Sequence, residues 1–196
     1  MTLAAISDDM SCASHAIGIR ERLRAATSAA HHALDERLSA FDLTVADDYR
    51  RFLQASAAAL LPLESALEQA GVAELFADWS HRARAGAVAA DLARLGGAVA
   101  PLPLPQPLDR IGIFGTLYVL EGSRLGAVYL RRIVAASADR RVRSATRYLS
   151  HGVGQGLWRS YLARLEREAG TATDVSGMIA SAQQAFAMFA KAVAAA

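Results

Sequence analysis

The sequence predicts an all-α protein folded as one domain. Three observations carry that prediction. Alanine supplies 44 of the 196 residues, and it is the best helix former and a small, close-packing core residue. Apolar residues recur at three- and four-residue spacing along most of the chain, the period of a helix with one buried face. No pair of alternating segments joined by a hairpin turn is found. The length fits a single domain at about 100–200 residues each, enough to bury about 70% of the unfolded surface without staples.

Composition narrows the class further. A hydrophobic content of 53% with 20% charged residues excludes bulk disorder. One cysteine, Cys12, excludes an intramolecular disulfide framework and a cysteine-cluster metal site. Arginine outnumbers lysine 20 to one, Lys191 being the single lysine, and the net charge is only +2. The arginines are spread over several helices with acids among them. That pattern reads as a solvated mixed surface rather than a nucleic-acid footprint. Every apolar run is interrupted by Arg, Asp or Glu before the roughly 18–20 residues a membrane span needs. Residues 1–18 lack the basic start and apolar stretch of a signal peptide and read as a loose tail. The expectation is a cytoplasmic protein whose domain occupies residues 19–196.

The elements follow in order. Ile19 to Ala40 reads as the first helix, with Leu23, Ala26, Ala30, Leu34 and Leu38 on one face. A second starts after Thr44, where Asp47 and Asp48 suit the positive end of the helix dipole. It carries Tyr49, Phe52 and Leu53, meets a kink or break at Pro62, and continues from Leu63 to Ala70. Ser80 to Leu95 reads as a third helix ended by Gly96-Gly97. Four prolines between positions 101 and 107 make an extended connector. Leu108 to about Ala136 is a long helix. Arg140 to Ser150 reads as helical, and Gly152, Gly154 and Gly156 loosen the chain after it. Leu157 to Ala169 and Asp174 to Ala196 complete about seven helices.

Two features stand out chemically. His31 falls among the apolar positions of the first helix, four residues after Thr27, and reads as inward-facing. His32, about 100° further round, belongs with Asp35 and Glu36 on the charged face. A neutral imidazole beside an apolar cavity can ligate a haem iron; alternatively it is a core histidine satisfied by a backbone carbonyl. The long helix carries Gly112, Gly115, Gly122 and Gly126, whose offsets of 3, 7 and 4 place all four roughly on one face. Each interior glycine costs about 0.8–1 kcal/mol relative to alanine, so four need a compensating cause. Either a neighbouring helix packs backbone-close, or the helix bends over something flat and large. His15, His81 and His151 carry less signal, and no phosphate loop, catalytic triad or HExxH pattern is present.

Taken together, these segments resemble the haem oxygenase family, in particular its small bacterial, biliverdin-producing members associated with bacteriophytochromes. The likeness runs from about Leu23 to Phe189. The segment from Leu23 to Leu34 is similar to the family's proximal helix, and Tyr49-Arg-Arg-Phe52-Leu53 to its second helix. Asp91-Leu-Ala-Arg-Leu-Gly96 resembles the end of its third helix. Gly115-Thr-Leu-Tyr-Val-Leu-Glu-Gly-Ser-Arg-Leu-Gly126 resembles the distal-helix signature and is the most specific piece. Trp158 to Glu166 and Ala182 to Phe186 resemble the last two helices.

The resemblance implies a bundle in which haem is sandwiched between a proximal helix and a kinked distal helix. It implies oxidative opening of haem to biliverdin, CO and iron, using O2 and an external reductant of the ferredoxin or flavodoxin type. A bacteriophytochrome is the implied recipient of biliverdin. His31 matches the axial ligand of the haem iron. Gly122, Ser123 and Gly126 match the distal catalytic segment, and Arg24 and Arg159 match basic positions that meet the propionates, a pairing that the planar guanidinium suits. Three positions depart from the pattern. Ala127 replaces the second glycine of a pair, Ser123 stands where animal enzymes carry an aspartate, and Leu117 falls where they direct a tyrosine at a propionate. The alternative is a haem carrier or sensor on the same fold, without turnover.

Overall fold

The computed structural model describes residues 18–169 and 174–196. The expected tail therefore lies outside the described residues except for Gly18, as do Cys12 and His15. Ten helices and no strand occur among the described residues. They are α1 (Ile19–Leu38), α2 (Ala46–Gln69), α3 (Val72–Leu75), α4 (Trp79–Arg82), α5 (Ala85–Arg94), α6 (Arg110–Ala135), α7 (Arg140–Ser144), α8 (Arg147–Ser150), α9 (Leu157–Ala169) and α10 (Val175–Ala194). None of them is long and apolar enough to cross a membrane.

The alanine- and methionine-containing α10 is the hub, packing against α6, α1 and α2. Its Met178, Ala182 and Ala185 are fully buried. Small side chains here let three helices approach one axis closely. Around it the core is aliphatic and aromatic, built on Leu23, Leu53, Leu60, Leu67, Leu92, Phe114, Leu117 and Tyr161. Each buried leucine contributes about 1.5–3 kcal/mol. The buried tyrosines are satisfied: Tyr161 donates to the Phe114 carbonyl at 2.8 Å and Tyr49 to the Ala145 carbonyl at 2.5 Å. The starts of α6 and α10 carry aspartate caps. Asp109 accepts from the Gly112 amide at 2.7 Å and Asp174 from the Gly177 amide at 2.9 Å, each satisfying an orphan donor of the first turn.

The structure corrects three element readings. Pro62 does not break α2; the helix is continuous from Ala46 to Gln69. A proline leaves the carbonyl four residues earlier without its helical donor. That carbonyl belongs to Ala58, and it accepts the Leu102 amide of the proline-rich connector at 2.9 Å. The expected Ser80–Leu95 helix is two pieces, α4 and α5, separated at Ala83 and Arg84. Both carboxylate oxygens of Glu64 accept backbone amides there, Arg84 at 2.7 Å and Ala85 at 2.9 Å. These bonds start α5 afresh and turn both Arg82 and Arg84 inward. The expected Arg140–Ser150 helix likewise divides into α7 and α8. Tyr49 takes the Ala145 carbonyl, and Asp91 takes the Tyr148 amide at 2.8 Å, so the helical ladder is diverted on both sides of Thr146.

Candidate functional site

Helices α1 and α6 meet where Tyr118 lies beside Thr27. Thr27 is buried and donates to the Leu23 carbonyl at 2.7 Å. Burial pushes the Tyr118 hydroxyl above its ordinary value, opposed by Thr27 and by the cations of Arg20 and Arg24. The Tyr118 ring packs on Trp158 of α9 with centroids 5.7 Å apart. His31 is one turn past Thr27 on α1, and Gly122 is one turn past Tyr118 on α6. Both therefore stand about 5–6 Å along their helices from a common junction.

His31 differs from its sequence reading. Its side chain is 59% exposed, and its Nδ1 pairs with Asp35 Oδ2 at 2.9 Å. The buried face of α1 is set by Leu23, Thr27 and Leu34. At 100° per residue, His31 sits about 60° off the centre of that face, at its rim. The core-histidine alternative is thereby overturned, and Asp35, assigned by sequence to the face of His32, is the partner of His31 at i+4. The imidazole packs edge-on against Phe186 of α10, 5.9 Å between centroids. With Nδ1 engaged by a carboxylate, the tautomer that protonates Nδ1 leaves the Nε2 lone pair free, which is the arrangement metal-ligating histidines use.

The four glycines of α6 have two different uses. A Cβ at Gly115 would fall 2.1 Å from the Met178 carbonyl oxygen, and one at Gly112 would fall 3.1 Å from Ser181 Oγ. These two let α6 and α10 pack backbone-close. A Cβ at Gly122 would stand 3.7 Å from the Trp158 ring, an ordinary contact, and one at Gly126 would meet nothing within 4 Å. Packing explains the first pair and not the second. Beyond Gly122, α6 also exposes Leu125 and Tyr129, at 60% and 65%.

Behind this stretch of α6 is a buried charged cluster. Arg84, only 2% exposed, donates to the Leu120 carbonyl at 2.8 Å and to Ser123 Oγ at 2.9 Å. Ser123 Oγ in turn donates to the Leu120 carbonyl at 2.8 Å. Glu121, 1% exposed, pairs with Arg124 at 3.0 Å and with Arg82 at 3.3 Å. Arg82 also grips Asp78 with both Nε and Nη2, each at 2.8 Å. Burial holds the Arg124 guanidinium below its usual value, and the neighbouring Arg84 cation adds to that. Burial likewise raises the Glu64 carboxyl, although two backbone amides donate to it.

The remaining expected residues separate clearly. Arg24 is exposed and belongs to the positive edge beside Tyr118. Arg159 is exposed next to Trp158, its guanidinium lying over Gly156. Ser123 is turned toward Arg84, so its hydroxyl proton is engaged by a carbonyl. Ala127 packs on the core, and Leu117 is fully buried inside it. The tyrosine at the α1–α6 junction is the next residue, Tyr118. Its signal in the sequence was its place one turn before Gly122. Arg84 and Glu64 carried no such signal, because their contacts join α2, the turn before α5 and α6. Two surface hollows of about 410 Å3 each lie elsewhere, one along the proline-rich connector and one beside Phe41 and Val193.

Comparison with known proteins agrees with this geometry. No protein-family model matches the chain. The chain is 29% identical over 144 residues to a haem oxygenase of Xanthomonas campestris pv. campestris, covering 74% of this chain and 87% of that protein. It is 31% identical over 158 residues to the haem oxygenase PigA of Pseudomonas aeruginosa, covering 74% of this chain and 76% of that protein. In fold it is similar to the haem oxygenase of Neisseria meningitidis, crystallised with NO and CO bound, with a TM-score of 0.70, 24% identity and 91% of each chain covered. A histidine rim, a bare glycine backbone and a relative 31% identical over 158 residues lead to one conclusion: the chain belongs to the haem oxygenase family.

Proposed function

We infer that the chain takes haem as its substrate between α1 and the second half of α6 and opens it oxidatively to biliverdin, CO and iron. What supports this is an exposed His31 whose Nδ1 is held by Asp35, and the bare backbone of Gly126, on two helices that meet at Thr27 and Tyr118. The residues present fit the group. Gly126 has no neighbour within 4 Å of its Cβ position, as a flat ligand requires, and the exposed Leu125 and Tyr129 offer apolar surface beside it.

When bound, haem supplies both the iron that takes up O2 and the macrocycle that is oxidised. The protein's own residues bind and orient. His31 Nε2 would hold the iron, with Asp35 fixing the ring. Gly122 and Gly126 would allow close approach of the α6 backbone to the ligand. Arg24 and Arg159 pair with the propionates, and Tyr118 joins Arg24 at that edge. Ser123, held by Arg84, fixes the Leu120 carbonyl and sets the polar wall behind α6. Electrons come from a separate donor. The exposed Arg20, Arg24 and Arg159 suit an acidic ferredoxin- or flavodoxin-type protein, and a bacteriophytochrome is the recipient we assign to the biliverdin.

The test is turnover. Purified protein loaded with haem, in O2 with ascorbate or a ferredoxin and its reductase, is expected to lose its Soret band and gain biliverdin absorbance. His31→Ala is expected to lose the axial histidine signature and turnover. Stable haem through many reducing equivalents would show a carrier instead, and an unchanged Soret spectrum in His31→Ala would remove that residue from the site.

A further inference from the structure

The distal helix is fastened to the loop that delivers α9, and the fastener includes a histidine. Arg124 follows Gly122 by two residues. Its Nη1 donates to the His151 carbonyl at 3.2 Å and approaches His151 Nδ1 at 3.3 Å. Its Nη2 donates to the Arg82 carbonyl at 2.6 Å, and Nε and Nη2 hold Glu121 at 3.0 and 3.1 Å. A guanidinium only donates, so His151 Nδ1 is the acceptor and the ring is neutral in this arrangement. The loop that follows turns on three glycines. Gly152, Gly154 and Gly156 all have left-handed φ, at 72°, 81° and 65°. A Cβ on Gly152 would meet the Leu157 side chain at 2.6 Å and Arg124 Nη1 at 3.1 Å. Two residues beyond the loop is Trp158, the ring against Gly122 and Tyr118.

We propose that His151, as a neutral acceptor from Arg124, is a positioning residue that seats the 151–156 loop and the start of α9 against the distal helix. Protonation of Nδ1 abolishes the acceptor and sets a cation against a guanidinium. The groups facing the ring are Arg124 and Glu121 from α6 and Arg84 from the turn before α5. Burial and the two arginines depress the His151 pKa, with Glu121 opposing. The seated loop therefore persists below the ordinary histidine range and is released on further acidification. The sign is that of a base with a lowered pKa: the unfolded chain binds the proton more readily, so stability falls as pH drops from about 6.5 through the folded value. The effect on haem rests on the function inferred above; the effect on the loop does not.

Two variants separate the charge states. His151→Gln keeps a neutral acceptor, and His151→Lys installs a permanent cation. In haem-free protein carrying Trp79→Phe, so that Trp158 reports alone, the emission maximum is expected to shift red in one step with a midpoint below pH 6.5. His151→Gln is expected to hold the neutral-pH maximum across pH 5–8, and His151→Lys to show the acid maximum at pH 7.5. Haem affinity of His151→Lys at pH 7.5 is expected about tenfold below that of His151→Gln. A red shift that survives in His151→Gln, or a His151→Lys spectrum equal to wild type, overturns the seating of the loop. Equal haem affinities with the expected spectra overturn its bearing on the site. Failure of every variant and of wild type to bind haem would instead defeat the functional reading and leave the loop result standing.

Discussion

At the scale of single residues, His31 shows why a rim position is harder to read than a core one. Helical periodicity assigns a face to within about 100°, and that resolution places His31 beside Leu34 without separating core from rim. Its carboxylate partner was also ambiguous, since Asp35 is i+4 from His31 and i+3 from His32, and both spacings allow contact. Choosing between them needs χ angles, which the sequence does not carry. Asp35 is 58% exposed, so its ion pair with His31 adds little to stability. Its expected effect is on the ligand: a carboxylate on Nδ1 fixes the tautomer and orientation of the ring. Asp35→Ala is expected to lower haem affinity about 10–100-fold, read by Soret titration, with unfolding of the haem-free protein nearly unchanged. Equal affinity in the two proteins would show that the pair is incidental.

At the scale of the element, α6 joins two structural demands on one glycine face. The sequence spacing showed the face; it could not show that α10 covers one half and leaves the other. That depends on where a partner from the far end of the chain crosses. The division makes opposite predictions for the same substitution. Gly115→Ala places a methyl against the Met178 carbonyl and must push α6 and α10 apart, so a loss of about 1–3 kcal/mol or more is expected. Gly126→Ala meets no atom and gains helix propensity, so a rise of about 0.8–1 kcal/mol is expected in the haem-free protein. The same Gly126 variant is expected to bind haem more weakly and turn it over more slowly. Denaturant unfolding of both variants, with turnover of the second, checks the pair. A destabilised Gly126→Ala protein would mean that this half of α6 is packed after all. The broken helices carry a related lesson. Glu64 and Tyr49 divert backbone groups from across the molecule, so α4, α5, α7 and α8 read as longer helices when only local propensity is consulted.

At the scale of the whole molecule, the all-α class and most element boundaries were legible because alanine content and apolar period act locally. The polar cluster behind α6 was not, because its members come from α2, α4, α6 and the turn before α5. Arg82, Arg84 and Arg124 there face Glu64, Asp78 and Glu121, near balance, which is the condition under which buried charges are tolerated. The bond between Ala58 and Leu102 works at the same scale. A proline in mid-helix leaves one carbonyl unclaimed, and the connector from residue 98 to 107 is moored to the bundle at that point. That hydrogen bond is worth about 0.5–1.5 kcal/mol; Leu102 also packs on the cluster of Ala55, Ala59 and Ala192 and Val99 on the core, but most of the connector is exposed, so it is expected to open without the bundle unfolding. Its amide at Leu102 is then a clock. In hydrogen exchange it is expected to release its proton well before the amides of α10. Pro62→Ala, which lets α2 reclaim the Ala58 carbonyl, is expected to speed that release while slowing exchange at residue 62's own turn. A helix defect thus becomes a reporter: one amide times the breathing of the chain's most proline-rich stretch.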